Sequence, residues 1–432
     1  MRTTILAAPT LASLLLTAPV LALPQTAPAS PAAPAKQATP AAPAKETAPA
    51  KQAAPATPAK SDGDDDAPAA GGKKQRPAGI WYGVREAPAK APGAIRIGAY
   101  NVENLFDDKD DPTLSGEFDD IKFVTKPARL KAIADAIRRL DADVLSIEEI
   151  ESLDALKWFR DNYLKDLGYQ YACSEDVGYY RGVEQAFLSR FPIKAHATFI
   201  QEDLSDMEGK RAGDGWAPKK PEQGSKYQRS PLRIEIDAKG TPITLYSVHL
   251  KAGGKEFEFQ RESEALQTLE FTKEAIAKDP GARVAVMGDF NATPGNKTVK
   301  LLGAGGLRGA YDFRGVKKGN TKDLYTTHDS GRTLDYIFMS PAMAADAVDG
   351  SFFVLGTVHP PSDYDWKTDP DKEKVPEGYA SDHYPVAIDI VPGRGAAAKD
   401  APAKAPEPGA SPASPSGNPA APSGQPASPN KR

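Results

Sequence analysis

Short apolar runs and amphipathic stretches alternate along the central part of the chain, and this pattern predicts an α/β fold. Runs with β-branched or alternating apolar side chains predict strands at residues 94–100, 142–147, 183–189, 193–200, 232–238, 242–250, 283–288, 333–339 and 384–391. Apolar side chains with a helical period predict helices at residues 127–140, 153–167 and 258–278. Pro127 opens the first of these helices, where its missing N–H is not needed.

The connections between these elements narrow the architecture. Some strands are joined through helices, whereas others turn back within a few residues, as at residues 189–194 and 237–242. Such tight returns exclude a pure (β/α) barrel, because parallel neighbours need a crossover of about a dozen residues or more. We therefore predict a four-layer α/β sandwich, in which two mixed, mostly antiparallel sheets pack face to face with helices outside.

The two ends of the chain differ in composition from its centre. Of the 432 residues, 40 are proline, and they are concentrated in two stretches: residues 23–92, rich in Ala, Pro and Lys, and residues 393–432, rich in Ala, Pro and Ser. Neither stretch has the apolar side chains to offset the entropy lost on ordering, so both predict disorder. One folded domain remains, at residues 93–392.

The first 22 residues predict export. They contain one Arg, a short apolar region and the small-residue sequence Val-Leu-Ala at positions 20–22, which are the features of a secretory signal peptide. Cys173 is the only cysteine, so we expect neither a lipid anchor on the mature N-terminus nor an intramolecular disulfide. These features predict a secreted or periplasmic protein without stable membrane insertion, and we expect a monomer.

Polar side chains recur where the predicted strands begin or end. They are Asn101, Glu148, Glu149, His249, Asp289, Asn291, Asp335, Asp382 and His383. Each could be a strand cap, but so many amide, carboxylate and imidazole groups, with two of the five histidines among them, favour one shared site. Carboxylate and amide oxygens without cysteine predict a hard divalent ion, Mg²⁺ or Mn²⁺, with Ca²⁺ as a further candidate. Imidazoles beside carboxylates suit proton transfer, so the set predicts metal-assisted attack of water on a phosphate ester.

The order of these motifs resembles that of a known superfamily. The segments YNVENLF, DVLSIEEI, SVHLK, GDFN, LDYIFMS and SDHYPV are similar to the motif set of the endonuclease/exonuclease/phosphatase superfamily. That superfamily includes deoxyribonuclease I, abasic-site endonucleases, inositol-polyphosphate 5-phosphatases and bacterial sphingomyelinases. The NVENLFD opening most resembles its bacterial secreted nucleases. The resemblance implies the sandwich fold and metal-dependent hydrolysis of a phosphoric ester.

The resemblance also implies a metal site. Glu149 matches the metal-binding glutamate of the superfamily, and Asn101 and Asp382 would complete the site. Glu148 stands where the superfamily usually has glutamine, so which of the two adjacent glutamates binds the ion stays open.

Catalytic roles follow from the same resemblance. Asp289 would orient or deprotonate the attacking water, and Asn291 would hold that water beside the phosphate. His383, supported by Asp335, would hydrogen-bond the phosphate, and His249 would give a proton to the leaving oxygen.

Several further residues have two readings. Glu184 is either the carboxylate partner of His249 or a surface residue of an edge strand, and Arg229 is either a phosphate ligand or a surface cation. Glu103 and Asp107 are candidates to face the same cleft, and the carboxylates around Asp107 either bind a second cation or, as we favour, form a solvated turn; those carboxylates are Asp107, Asp108, Asp110 and Asp111. The remaining histidines are expected to be ordinary surface or loop residues, and the cysteine a small buried one: His196, His328, His359 and Cys173.

Charge and aromatic content bear on the substrate. The net charge of −4 excludes a cationic coat over the whole surface but leaves a local basic cleft open. We predict an electropositive lip, which favours nucleic acid, from Trp216, Lys219, Lys220, Lys226, Tyr227, Arg229, Lys251, Lys255 and Arg261. A phosphatase or a phospholipase C-type esterase remains the alternative. A catalytically silent envelope-binding module is a second one, although every polar group of the motif set is present.

Overall fold

The computed structural model describes residues 76–109, 124–204, 226–319, 321–361 and 375–395. Within these residues the strands are β1 (Gly79–Ile80), β2 (Ile95–Leu105), β3 (Val144–Ile150), β4 (Tyr171–Ser174), β5 (Glu184–Ser189), β6 (Ile193–Thr198), β7 (Leu232–Ala238), β8 (Thr241–His249), β9 (Val284–Asp289), β10 (Arg308–Gly309), β11 (Asp335–Met339), β12 (Phe353–Val354), β13 (Val358–His359) and β14 (Val386–Ile390). The α-helices are α1 (Pro127–Leu140), α2 (Leu153–Tyr163), α3 (Glu258–Lys278), α4 (Lys297–Ala304) and α5 (Pro341–Asp346).

The strands form two six-stranded sheets and one small ribbon. The first sheet has the order β12-β14-β2-β3-β5-β4, the second has the order β10-β11-β9-β8-β7-β6, and β1 pairs with β13. Each large sheet contains one parallel pair, β2 with β3 and β8 with β9, and its other neighbours are antiparallel.

The inner faces of the two sheets meet in one apolar core. From the first sheet this core contains Ile95, Ile97, Val144, Phe187 and Ile388, and from the second it contains Ile234, Ile236, Leu245, Met287 and Ile337. Side chains alternate along each strand, so one set of positions faces the opposite sheet and the other faces the helices. The prediction of two sheets packed face to face is confirmed.

Helices cover the outer faces. Helices α1 and α2 pack Leu130, Ile137 and Phe159 against the first sheet, and α3 and α4 pack Leu269 and Leu302 against the second. Helix α1 begins at Pro127, as its sequence predicts, and Ser152 caps α2 by accepting a hydrogen bond from the backbone N–H of Ala155 at 3.0 Å. The four-layer order of helix, sheet, sheet and helix is therefore confirmed.

The folded part of the chain begins earlier than composition predicts. Strand β1 pairs with β13, Tyr82 is buried in the core, and Trp81 stacks on His359 with ring centroids 3.9 Å apart. The prediction that the linker extends through residue 92 was wrong for residues 76–92, because the two aromatic side chains there have a core to join. Within the described residues, no helix is long and apolar enough to span a membrane.

Candidate active site

Strand pairing brings the polar strand ends together. In the first sheet, Asn101 of β2 lies opposite Glu148 of β3. In the second sheet, Asp289 at the end of β9 lies opposite both His249 of β8 and Asp335 of β11. Since β2 and β9 also contact each other across the sandwich, the polar ends of both sheets meet at one edge. The strand ends that the sequence picked out therefore share a site.

The backbone is unusual at these ends. Four non-glycine residues have left-handed φ angles there: Glu103 at 54°, Asn104 at 59°, Glu149 at 68° and Asn291 at 46°. Irregular pairing accompanies them, between Asn101 and Leu105 in β2 and between Glu148 and Ile150 in β3. Residues held in this region of φ cluster at functional sites, because the surrounding fold must support the strain.

Steric crowding explains why a glycine precedes Asp289 in the GDFN motif. Gly288 has a φ of 128°, and a Cβ there would collide with the carbonyl oxygen of Val248 and the carboxylate of Glu148. Only glycine lets β9 pass so close to both groups and still present Asp289 at its end.

One oxygen of Asp289 is the centre of the site. Its Oδ2 accepts hydrogen bonds from Nδ2 of Asn101 at 3.3 Å and of Asn291 at 3.2 Å. The same Oδ2 lies 3.4 Å from Nε2 of His249 and 3.7 Å from Nε2 of His383. Burial has the largest effect on Asp289 and raises the pKa of its carboxyl group to about 7. The positive charge of His383 lowers this pKa, whereas the negative charge of Asp335 raises it.

His383 is held as a cation by its partner. Its Nδ1 donates to Oδ2 of Asp335 at 2.9 Å, which directs Nε2 toward Asp289. Burial alone would lower the pKa of His383, but the carboxylates of Asp335 and Asp289 outweigh it and hold the pKa well above its usual range. The structure thus places the predicted pair of His383 and Asp335 in direct contact.

His249 has the opposite protonation state. Burial, together with the positive charges of Arg229 and Arg181, holds the pKa of His249 well below its usual range. Its Nε2 lies 3.8 Å from Oε1 of Glu149. The neutral imidazole of His249 therefore faces the cationic His383 across Asp289. The sequence predicts His249 as the proton donor, whereas the protonated imidazole of this pair is His383.

The two adjacent glutamates point to different places. Glu149 joins the site, with its Oε1 accepting from Nδ2 of Asn101 at 3.4 Å. Glu148 lies between the sheets, where its Oε1 accepts from Oγ of Ser146 at 2.6 Å and of Ser247 at 3.1 Å. Burial raises the pKa of Glu148 well above its usual range, despite these hydroxyl donors. The left-handed φ of Glu149 produces this division by turning it away from the regular alternation of β3.

Asp382 is linked to Asn101 through Glu103. The backbone N–H of Asp382 donates to Oε2 of Glu103 at 3.1 Å, and the backbone N–H of Glu103 donates to Oδ1 of Asn101 at 2.9 Å. Oδ2 of Asp382 lies 3.9 Å from Nε2 of His328. The structure thus gives Glu103, a candidate for the cleft in the sequence, a direct place in the network.

Two histidines are more deeply buried than the sequence indicates. His328 is buried and packs edge-to-face on His383 with ring centroids 4.6 Å apart, and His359 is buried against Trp81 and Asp329. Both were expected to be ordinary surface or loop residues. A β-bridge to His383 instead brings His328 to the site, and His359 lies in β13, which pairs with β1. His196 is about half exposed and lies 2.8 Å from Glu175, and Cys173 is buried, both as expected.

Glu184 is buried at the start of β5. Its carboxylate hydrogen-bonds the backbone N–H of Val177 and the side chain of Asp176, and burial raises its pKa to about 9. The reading as a surface residue of an edge strand was wrong, because β5 is covered by β4 on one side and β3 on the other. Both residues that its carboxylate hydrogen-bonds, Val177 and Asp176, lie in the loop before β5.

Arg229 lies beneath the site. Its Nε donates to the carbonyl oxygen of His249 at 3.0 Å, its Nη2 to that of Leu250 at 2.7 Å, and its Nη1 to the hydroxyl of Tyr179 at 3.3 Å. With a side chain that is 2% exposed, it is neither a surface cation nor open to a phosphate. The structure makes it a support for the end of β8.

The predicted electropositive lip is mostly interior. Among its members in the described residues, Lys226 and Lys255 are exposed, whereas the others are buried: Tyr227, Arg229, Lys251 and Arg261. The lip was wrong for those four. Tyr227 and Lys251 hydrogen-bond Glu264 of α3. Nη1 of Arg261 in α3 donates to the carbonyl oxygen of Lys251 at 2.9 Å, and Arg229 is held by the carbonyl groups at the end of β8. Three members lie outside the described residues: Trp216, Lys219 and Lys220.

Arg181 is a site residue that the sequence did not single out. Its Nη2 donates to Oδ1 of Asn104 at 2.5 Å and lies 3.5 Å from Oε2 of Glu149. It stands in an irregular loop before β5, and a lone Arg between glycines gives no periodic signal in the sequence. The acidic turn is also divided, since Asp107 is buried, Asp108 is exposed, and Asp110 and Asp111 lie outside the described residues.

The donor set fits a divalent ion. In the described part of the chain, two groups have ligand atoms within 4.8 Å of one another: His328, Asp382 and His383, and Asp289, Asp335 and His383. Glu149, Asn101 and Glu103 add carboxylate and amide oxygens beside them. Oxygen donors in this number, without a thiolate, suit a hard ion.

Comparison with solved structures returns proteins of low sequence identity. The human Nocturnin catalytic domain with bound sulfate is 18% identical, covers 70% of this chain and 95% of its own, and has a TM-score of 0.45. A Bacteroides thetaiotaomicron mannosyl-6-phosphatase is 19% identical, with coverages of 68% and 98% and a TM-score of 0.43. Truncated Caenorhabditis elegans TDP2 is 15% identical, with coverages of 70% and 99% and a TM-score of 0.42.

A sequence-family profile identifies the family of the chain. No curated protein matches the chain. The profile of the Endonuclease/Exonuclease/phosphatase family matches residues 98–383, which run from β2 to just before β14. The chain therefore belongs to the endonuclease/exonuclease/phosphatase family, whose members include nucleases, phosphatases and phosphodiesterases and generally hydrolyse phosphoric esters.

Proposed function

We propose that this protein is an exported, divalent-metal-dependent phosphodiesterase, an endonuclease that hydrolyses DNA or RNA by attack of water on phosphorus. One arrangement carries the proposal. Oδ2 of Asp289 is surrounded by the ring nitrogens of His249 and His383 and by the side-chain amides of Asn101 and Asn291. A carboxylate fixed by two amides between a neutral and a cationic imidazole is a centre for proton transfer.

Asp289 is placed to act as the base. Its pKa of about 7 leaves the carboxylate able to take a proton from water near neutral pH. Asn291 keeps it in position, because the Asn291 backbone N–H donates to Oδ1 of Asp289 at 2.7 Å and the Asn291 side chain donates to the carbonyl oxygen of Leu250 at 3.1 Å. The second oxygen of Asp289 therefore faces the site in a fixed orientation.

His383 supplies positive charge. Asp335 holds its imidazolium at Nδ1, so the Nε2–H is available to a phosphate oxygen or to the leaving oxygen. A preorganised cation where negative charge develops lowers the barrier without reorganisation during the reaction. His249, which is neutral and has its Nε2 3.4 Å from Oδ2 of Asp289, adds a polar contact that orients this carboxylate.

Glu149, Asn101 and Asp382 would hold the divalent ion, with Glu103 tying Asp382 to Asn101. When bound, such an ion would polarise a phosphoryl oxygen and offset negative charge on the phosphoryl oxygens. Glu148 is outside this set, because its carboxyl group is hydrogen-bonded to Ser146 and Ser247 between the sheets.

The choice of nucleic acid within the family rests on exposed cations and aromatic side chains. Lys226 and Lys255 are exposed, and Tyr180, which precedes Arg181 in the sequence, is 47% exposed. Trp216, Lys219 and Lys220 lie outside the described residues and are taken from the sequence alone. Cations that follow a backbone and aromatic rings that stack on bases support binding of a polynucleotide. Export is proposed from the signal-like first 22 residues.

The test is a panel of four phosphoesters with one matched pair of variants. Supercoiled plasmid, structured RNA, sphingomyelin vesicles and a small aryl phosphodiester are incubated with purified protein and Mg²⁺ or Mn²⁺. We expect nicking of the plasmid, and we expect Asp289→Asn to slow it by about two orders of magnitude or more. The surface variant Asp166→Asn, whose carboxylate pairs with Arg138 outside the site, is the control and is expected to match the wild type.

The outcomes separate the members of the family. Cleavage of vesicles or of the small ester alone would retain the site and replace the nucleic-acid substrate by a lipid or a small molecule. Equal cleavage by the wild type and Asp289→Asn would reject the site itself, and no cleavage of any substrate by the wild type would favour a binding module.

A further inference from the structure

Arg181 is a cation built into the wall of the proposed site. Its loop is bracketed by Gly178 and Gly182, with φ angles of 73° and 61° that favour glycine and fix the turn. The Arg181 side chain is 22% exposed, and its Nη2 reaches both Oδ1 of Asn104 and Oε2 of Glu149. The loop is therefore shaped to present a guanidinium at this position.

The partner of Arg181 is the glutamate proposed to bind the metal. Glu149 has a side chain that is 10% exposed, so the two opposite charges face each other in a largely dry environment. An ion pair of this kind is retained at a cost in desolvation and is sensitive to any third charge that enters. A divalent ion and the Arg181 guanidinium both require the carboxylate of Glu149.

The other cations near the site already have partners of a different kind. Arg229 donates to the carbonyl oxygens of His249 and Leu250, and the Lys251 ammonium packs over the ring of Phe257 at 4.0 Å. Arg181 differs because its carboxylate partner is itself a member of the site. Neutralisation of Glu149 by a metal would leave the guanidinium with its strongest attraction removed.

We propose that Arg181 competes with the divalent ion for Glu149 and, once the ion is bound, donates to the non-bridging oxygens of the substrate phosphate. This assignment rests on the proposed function and adds a specific substrate-binding residue to it. A guanidinium is suited to the task, because its planar fork of N–H groups matches two oxygens of a phosphate. The side chain thus serves as a counter-ion first and as a phosphate ligand second.

The proposal predicts effects of opposite sign in one variant. Removal of the cation in Arg181→Met leaves the Glu149 carboxylate without its guanidinium partner, so Mn²⁺ titrated calorimetrically without substrate is expected to bind about threefold or more tightly. In steady-state kinetics on plasmid at saturating Mn²⁺, the same variant is expected to show a KM raised about tenfold or more, because a charge-assisted contact is lost. A residue that merely supports the loop would weaken both properties together.

Two further variants make the test specific. Arg181→Lys keeps the charge but loses the fork, so its Mn²⁺ affinity is expected to stay near the wild-type value while its KM rises. Arg138→Met removes an exposed positive charge that pairs with Asp166, and it is expected to change neither quantity. Thermal unfolding of each variant verifies that the comparison is between folded proteins, and the lysine variant serves if the methionine variant does not fold.

The possible failures are distinguishable. If the wild type binds Mn²⁺ and nicks plasmid, but Arg181→Met binds Mn²⁺ no more tightly or leaves KM unchanged, the role of Arg181 is overturned and the proposed function stands. If the wild type neither binds Mn²⁺ nor cleaves any phosphodiester, the proposed function fails and this inference fails with it.

Discussion

At the scale of residues, the site depends on two histidines whose surroundings shift their pKa values in opposite directions. His383 has a carboxylate at Nδ1 and is held as a cation, whereas His249 is buried near Arg229 and Arg181 and is held neutral. The same side chain therefore has two protonation states within reach of a single carboxylate oxygen. Acid and base functions can be assigned from such a difference.

The dyad of His383 and Asp335 predicts a change in the pH profile. Asp335→Asn removes the charge that most raises the pKa of His383, so the imidazolium will lose its proton at a lower pH. We expect the alkaline limb of kcat/KM against pH to move to lower pH in this variant. An alkaline limb at the same pH in both proteins would show that another group controls it.

Glu184 predicts a change in the pH dependence of stability. Its pKa rises from an ordinary 4.5 to about 9 on folding, so its stabilising contribution is complete below pH 4.5 and is lost as the pH rises through 9. Glu184→Gln cannot ionise, and we expect its free energy of unfolding to improve relative to the wild type as the pH is raised between these values. Chemical denaturation at several pH values measures this difference.

Activity provides the control for that variant. Since the carboxylate of Glu184 contacts Val177 and Asp176, Glu184→Gln is expected to keep kcat within about threefold of the wild type. A loss of two orders of magnitude without a change in stability would return Glu184 to the role of partner for His249.

At the scale of elements, strand ends carry the site because the pairing sets their register. Asn101, His249 and Asp289 are brought together by two parallel pairs, one in each sheet. These apolar runs and their polar ends can be read from the sequence, which is why the sandwich and most of the site could be predicted from it. The short strands β1, β10, β12 and β13 could not, because two residues carry no periodicity.

Loops account for what the sequence could not predict. Arg181 and His328 reach the site only because a glycine-bracketed turn and a β-bridge fold their loops over the strand ends. Arg229 was misread for a related reason, since a cation before a strand has no local signal that two buried carbonyl groups will need it. Tertiary contacts determine where such side chains lie, and the pattern of apolar and polar residues along the chain does not predict those contacts.

Arg229 predicts an element-scale effect on the end of β8. Arg229→Met removes the arginine donor from the carbonyl oxygens of His249 and Leu250, the second of which keeps its hydrogen bond from Asn291, and we expect the free energy of unfolding to fall by about 2–4 kcal/mol. Turnover should decrease through displacement of His249, while KM changes by less than about threefold. A raised KM with unchanged stability would instead support the direct phosphate contact predicted from sequence.

At the scale of the whole molecule, the segment before β2 is part of the fold. Residues 76–84 contribute β1 and bury Tyr82 in the central core. A protein that starts at residue 93 loses these contacts, and we expect its free energy of unfolding to be lower by about 3 kcal/mol or more than that of a protein starting at residue 76. Equal denaturation midpoints for the two proteins would show that this segment contributes nothing to stability.

Removal of the metal from the whole protein tests the proposal of a metal-dependent phosphodiesterase that acts on nucleic acid. Protein that lacks the first 22 residues is stripped of metal with EDTA, dialysed, and incubated with supercoiled plasmid, with and without added Mg²⁺. We expect no nicking in the stripped protein and full recovery of nicking on addition of Mg²⁺, with His383→Ala inactive under both conditions. Nicking that persists without metal, or that is equal in His383→Ala, would contradict the account.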